Sequence, residues 1–82
     1  MSMDKLRRPR QAMSDEIAIL LRERNLRAAY DSRPPYQRND YLSWIAQAAQ
    51  PYTRKKRIEQ MLLELEQGDV YMKMPWRVDR GV

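Results

Sequence analysis

The stretch "PYTRKKRIEQMLLELEQG", residues 51–68, carries the strongest periodic pattern in the chain. Its apolar residues recur at the i, i+3, i+4, i+7 spacing of one helix face: Ile58, Met61, Leu62 and Leu65. Pro51 suits the first turn of a helix, and Gly68 supplies the left-handed conformation at which many helices end. The stretch therefore predicts a helix of roughly 17 residues with one buried face.

Four consecutive cations occupy the first turns of this predicted helix: Arg54, Lys55, Lys56 and Arg57. The N-terminal end of a helix carries the positive pole of the backbone dipole, so basic residues are disfavoured there. In a structural interpretation, the stem of Arg57 packs beside Ile58 and its guanidinium pairs with Asp40 on the preceding helix. Alternatively, all four side chains contact a bound anion. We favour the structural interpretation, because runs of charge are usually solvated helix faces.

Two shorter helices are predicted near the start of the chain. Ser14 is a suitable N-cap for a helix over residues 15–24, and acidic residues follow it where the dipole favours them. Asn25 is a natural break, and the apolar spacing after it predicts a second helix over residues 26–32.

Prolines separate these helices from the next one. Pro34 disfavours helical geometry in the residue before it, whereas Pro35 suits the first turn of a third helix over residues 35–49. Since only a short turn separates this helix from the one at Pro51, we expect an antiparallel hairpin. The fold class predicted is all-α, a small bundle of three to four helices. The predicted core contains Ile17, Leu20, Leu21, Leu26, Tyr30, Tyr41, Leu42, Ile45, Ile58, Met61, Leu62 and Leu65.

The two ends of the chain differ from its helical middle. Residues 1–13 show no apolar periodicity and predict a flexible basic arm, residues 14–69 the helical domain, and residues 70–82 an irregular aromatic tail. Pro75 excludes a regular helix in the tail, and no second strand is evident to pair with its alternating residues. We expect the tail to lie on the bundle or on a partner. Its candidate partner contacts are Tyr71, Met74 and Trp76.

Composition limits the chemistry that the chain can perform. The 82 residues include no cysteine and no histidine, so the usual zinc ligands and the usual neutral-pH base are missing. The two glycines form no phosphate-binding loop. We therefore expect no enzyme activity, no catalytic residues, no cofactor and no metal. No apolar run reaches the roughly 18 residues of a membrane span, and no secretory signal is evident, so we expect a cytoplasmic protein.

The stretch "RPPYQRNDYLSWIAQAAQPYTRKKRIEQMLLELEQG", residues 33–68, resembles the C-terminal helical segment of the YdeI/OmpD-associated family, also called the bacteriocin-protection family. The resemblance depends on proline helix starts, aromatic residues and arginines in a fixed order over two helices. The matching residues are Pro34, Pro35, Arg38, Asp40, Tyr41, Trp44, Ile45, Ala48, Pro51, Thr53, Arg54, Arg57, Ile58, Leu62 and Gly68.

Two hypotheses for function follow. The resemblance implies a non-catalytic protein-interaction or stress-protection module. We expect a protein partner or a second copy of the chain to contact its aromatic tail and the adjacent helix face. The alternative is a basic nucleic-acid-binding protein, because 16 basic residues against 11 acidic ones give a net charge of +5. That protein would use the 54–57 cluster and an N-terminal arm containing Arg7, Arg8 and Arg10.

Overall fold

A computed structural model describes residues 10–76 of the chain. The predictions for the arm at residues 1–9, including Arg7 and Arg8, and for the tail at residues 77–82 lie outside the described residues. Within the described range the elements follow in the order α1 (Asp15–Glu23), α2 (Arg27–Asp31), α3 (Pro35–Ala46), α4 (Pro51–Gln67), β1 (Val70–Tyr71) and β2 (Met74–Pro75). None of these helices is both long enough and apolar enough to cross a membrane.

The predicted helix starts and breaks are confirmed. Ser14 caps α1 by accepting a hydrogen bond from the backbone N–H of Ile17 at 3.3 Å. Asn25 takes the left-handed conformation, with φ of 59°, and separates α1 from α2. Pro35 and Pro51 each begin a helix, and Gly68 ends α4 with φ of 82°. Most helix ends are thus set by the conformational or capping preference of the residue at that position.

Helix α3 is shorter than predicted: it ends at Ala46 rather than at residue 49. The backbone N–H of Ala48 donates to the carbonyl of Ile45 at 3.2 Å, three residues back instead of four. This tighter turn closes the helix, and the chain is then extended at Gln50 before Pro51.

The predicted core is confirmed except at Leu20, which is only partly buried. Contacts between α3 and α4 run in opposite chain directions, since Tyr41 meets Glu64 and Trp44 meets Arg57. The two helices are therefore antiparallel, as expected. The buried apolar side chains are Ile17, Leu21, Leu26, Tyr30, Tyr41, Leu42, Ile45, Ile58, Met61, Leu62 and Leu65.

The chain is mostly helical rather than all-α, because the tail contains a small antiparallel sheet. Val70 pairs with Pro75 and Tyr71 with Met74, so residues 70–75 form a hairpin that we call the C-terminal hairpin. Its turn residues, Met72 and Lys73, have φ of 51° and 66°. Two-residue turns of this kind usually contain Asn, Asp or Gly, so the turn residues themselves do not predict a hairpin here.

Candidate interaction surface

A single buried carboxylate fastens the C-terminal hairpin to the helices. Glu64 is 3% exposed. Its Oε1 accepts from the Tyr41 hydroxyl at 2.5 Å and from the backbone N–H of Met72 at 2.8 Å. Its Oε2 accepts from the backbone N–H of Lys73 at 2.8 Å and from Gln60 Nε2 at 3.0 Å. The turn can keep its left-handed geometry because this carboxylate satisfies both of its N–H groups.

The Tyr41 hydroxyl in this cluster is held in its neutral form. Burial raises the pKa of Tyr41 well above its ordinary value, and the hydrogen bond to Glu64 and the negative charge of Glu64 raise it further. The positive charge of Arg33 acts in the opposite direction on the same pKa. Tyr41 is therefore a permanent hydrogen-bond donor to Glu64 at neutral pH.

Arg33 is buried beside this cluster and connects three parts of the chain. Its guanidinium donates to the Gln37 side-chain oxygen at 3.1 Å and to the backbone carbonyl of Glu64 at 3.0 Å. The ring of Trp76 covers the guanidinium, with 4.6 Å from Cζ to the ring centroid. Arg33 thus ties the start of α3, the end of α4 and the residue that follows the hairpin into one buried group.

The three predicted partner contacts have different surroundings. The Tyr71 hydroxyl donates to Asp40, and its ring meets Tyr36 and Tyr41 edge-on at centroid distances of 5.9 and 5.6 Å. Trp76 is partly buried on the Arg33 guanidinium, whereas the side chain of Met74 is 56% exposed. Tyr71 and Trp76 therefore pack within the chain, and Met74 lies at the surface.

A groove of about 720 Å³ lies next to the hairpin. The chain before α1 forms one side of it, where the backbone N–H of Gln11 donates to the Asn39 side chain at 2.7 Å. Tyr36 is 57% exposed and contacts Tyr71, so the groove and the hairpin form one continuous surface. The residues lining the groove are Arg10, Gln11, Tyr30, Pro35, Tyr36, Arg38, Asn39, Asp40 and Leu42.

The cluster at residues 54–57 divides into two arginines held by the fold and two lysines near solvent. Arg54 forms an ion pair with Glu16 and donates to the Ser14 hydroxyl at 3.4 Å. Lys56 lies over the ring of the exposed Tyr52, with 5.4 Å from Nζ to the centroid, and Lys55 is exposed. Contacts with other helices therefore offset the unfavourable position of Arg54 at the start of α4.

Arg57 closes the end of the preceding helix. Its guanidinium donates to the backbone carbonyl of Trp44 at 2.6 Å and lies 5.2 Å from the centroid of the Trp44 ring. That carbonyl belongs to the last turn of α3, where helix carbonyls lack partners and the dipole is negative. Asp40, the predicted partner of Arg57, accepts instead from Tyr71. Asp40 and Arg57 thus contact different residues rather than each other.

Sequence reasoning missed Arg33, Gln37 and Glu64, which are the buried polar and charged residues among residues 10–76. One signal was present for Glu64: it lies between Met61 and Leu65, at the edge of the apolar face. Within the same described range, no group of three or more acidic side chains is arranged to hold a metal ion.

Comparison with known proteins gives one family. The model of the family described as bacteriocin-protection, YdeI or OmpD-associated matches residues 12–68, which is more than half of the chain. The match covers all four helices and ends at Gly68, before the C-terminal hairpin. No curated protein and no solved structure gives a significant match.

Proposed function

The chain belongs to the bacteriocin-protection, YdeI or OmpD-associated family, and we propose that it acts as a non-catalytic protein-interaction module. The family description names protection against a bacteriocin and association with another protein. Both are functions that a binding surface can perform without chemistry. Because the family model matches all four helices, a binding surface of the family that lies on them can also be present in this chain. The hairpin lies beyond the matched residues.

The exposed apolar pair at the groove and hairpin is the observation that carries this proposal. Tyr36 is 57% and Met74 is 56% exposed, and Tyr71 packs against the Tyr36 ring from the hairpin side. Tyr and Met are enriched in protein interfaces. Because Glu64 holds the hairpin turn through two hydrogen bonds, from the N–H groups of Met72 and Lys73, little conformational entropy is lost when a partner binds there.

We assign the occupant of this surface to a different protein rather than to a second copy of the chain. The net charge of +5 makes two copies repel each other. A partner with acidic residues gains from the same charge.

Two tyrosines provide a matched test. Tyr36 and Tyr52 are both exposed, and each follows the proline that begins its helix. The immobilised protein should capture a partner from an extract of the cells that produce it. Tyr36→Ser and Met74→Ser should lose that partner, whereas Tyr52→Ser should keep it. Equal capture by all variants would defeat the proposal, and a concentration-dependent dimer in light scattering would assign the surface to a second copy.

Nucleic-acid binding is the second hypothesis, and the exposed lysines at the start of α4 favour it. Lys55 and Lys56 lie near solvent, whereas Arg54 and Arg57 already contact other helices. Titration of labelled DNA and RNA at about 50 and about 200 mM salt tests it. Micromolar binding with a steep salt dependence supports this function, and no binding at the lower salt concentration removes it.

A further inference from the structure

One buried polar group in the groove has no use within the fold. Tyr30 is 4% exposed and lines the groove, yet its hydroxyl makes no hydrogen bond to any group in the part of the chain that the structure describes. Burial raises the pKa of Tyr30, so the hydroxyl keeps its proton at neutral pH. Buried hydroxyls normally have a hydrogen-bond partner, because a buried hydroxyl without one destabilises the fold. The Tyr30 hydroxyl is therefore available to donate a hydrogen bond to a ligand atom in the groove.

The charged groups around Tyr30 favour an anionic ligand atom. The positive charges of Arg38 and Arg27 act on the Tyr30 hydroxyl and lower its pKa against the effect of burial, Arg38 more strongly. The negative charge of Asp31 acts in the opposite direction and more weakly. Arg38 Nε donates to the backbone carbonyl of Arg33 at 3.1 Å, which fixes the guanidinium at the groove wall. Arg10 lies on the same groove. Hydroxyl and guanidinium donors together match the oxygens of a carboxylate.

The rest of the groove distinguishes a peptide from a polyanion. Pro35, Tyr36 and Leu42 give it an apolar wall, which suits the side chain next to the bound carboxylate. Asp40 also lines the groove, and its negative charge would repel a chain of phosphates. A single carboxylate beside an apolar side chain is compatible with both features.

We propose that this groove binds an acidic peptide segment of the partner protein. Tyr30 and Arg38 donate to one of its carboxylates, and Tyr36 contacts an adjacent apolar side chain. The inference rests on the proposed interaction function and specifies the chemistry of the partner. It assigns the unpaired Tyr30 hydroxyl a role in recognition rather than in stability.

Tyr30→Phe is the decisive variant, because it removes only the unpaired hydroxyl. A fluorescent peptide with a single glutamate flanked by leucines is titrated against the full chain, with the same peptide carrying glutamine in place of the glutamate as the uncharged control. The glutamate peptide should bind at least about tenfold more tightly than the control. Tyr30→Phe should weaken it about tenfold, as expected for a hydrogen bond to a charged group. Urea unfolding should show that Tyr30→Phe is as stable as the parent, and the exposed control Tyr52→Phe should bind normally.

Three results would overturn the inference. The first is equal affinity of the chain for the two peptides, and the second is unchanged affinity of Tyr30→Phe for the glutamate peptide. The third is a single-stranded oligonucleotide that binds more tightly than the glutamate peptide and loses this binding in Tyr30→Phe. The capture experiment keeps the two proposals apart. If capture still depends on Tyr36 but not on Tyr30, the interaction function stands and the acidic-peptide inference fails. If capture does not depend on Tyr36, the interaction function fails whatever the peptides do.

Discussion

The two ends of α4 place charged side chains in opposite situations. At its start, four cations form the most conspicuous charge cluster in the chain, and their contacts are largely at the surface. Near its end, Glu64 is one acidic residue among several in the sequence, yet it is buried and accepts four hydrogen bonds. The number of charges along a helix is therefore a poor guide to how much each one is expected to contribute to stability. Burial decides it, because water screens exposed charges and cannot reach Glu64.

The largest expected effect is at the buried end. Glu64→Ala leaves the turn N–H groups of Met72 and Lys73 and the Tyr41 hydroxyl without their acceptor, so it should cost about 3–5 kcal/mol in free energy of unfolding. Urea unfolding measures this loss. Glu66→Ala, two residues further along the exposed side of the same helix, is the control and should change stability by less than about 0.5 kcal/mol. Similar losses in both variants would erase the contrast between the two ends of α4.

Tyr41→Phe removes one of the four donors to Glu64 and should cost about 2 kcal/mol near pH 7. It should also change the response to alkali. Because the pKa of Tyr41 is raised in the folded state, the unfolded chain releases this proton first, and stability falls as the pH rises above about 10. The variant lacks this contribution, so its free energy of unfolding should fall less steeply as the pH rises above about 10. If the free energy of unfolding falls equally steeply with pH in Tyr41→Phe and in the parent, the prediction is wrong.

At the charged end, Arg57 should matter most because it closes α3. Arg57→Ala removes the hydrogen bond to the Trp44 carbonyl and the contact with its ring, at a cost of about 1.5 kcal/mol. Thermal unfolding should show this loss, with Lys55→Ala unchanged as the control. Arg57→Lys tests geometry against charge. If the lysine variant is as stable as the parent, a positive charge near the end of α3 is sufficient, and the combined hydrogen bond and ring contact of the guanidinium is not needed.

Gly68 connects α4 to the C-terminal hairpin and has a smaller expected effect. An added Cβ would meet no atom within 4 Å, so Gly68→Ala changes only the backbone preference at φ of 82°. The left-handed conformation should cost an alanine about 1 kcal/mol. Denaturant unfolding measures it. A gain in stability would show that the helix end shifts to another conformation when glycine is absent.

The smallest effect is expected for the exposed ion pair between Arg54 and Glu16. Their side chains are 32% and 58% exposed, so Arg54→Gln should cost no more than about 0.5 kcal/mol at low salt. The difference from the parent should vanish in about 1 M salt, where the Debye length is about 3 Å. If Arg54→Gln lowers the free energy of unfolding strongly and still does so at high salt, this pair stabilises the fold as a buried group does and not as a screened surface pair.

Much of the helical framework was predictable because its signals are local. The helix starts at Pro35 and Pro51, the break at Asn25 and the end at Gly68 each depend on the backbone preference of one residue. The apolar spacing identified the core, with Leu20 as the one residue less buried than expected. The candidate site was less predictable. Tyr71 and Met74 were predicted to contact a partner, and this stays a prediction. Which of the two is packed and which is exposed depends on how the hairpin folds back.

From the sequence alone, three to four helices, their approximate ends, the core apart from Leu20 and the family could be predicted. The tertiary structure decided the environments of the polar residues. Two of the four donors to Glu64 are N–H groups that a turn without glycine brings to it, and Arg57 closes a helix other than its own. The Tyr30 hydroxyl is unpaired for the same kind of reason. Helix periodicity follows from neighbours along the chain, whereas hydrogen-bond partners and burial come from residues that only folding brings together.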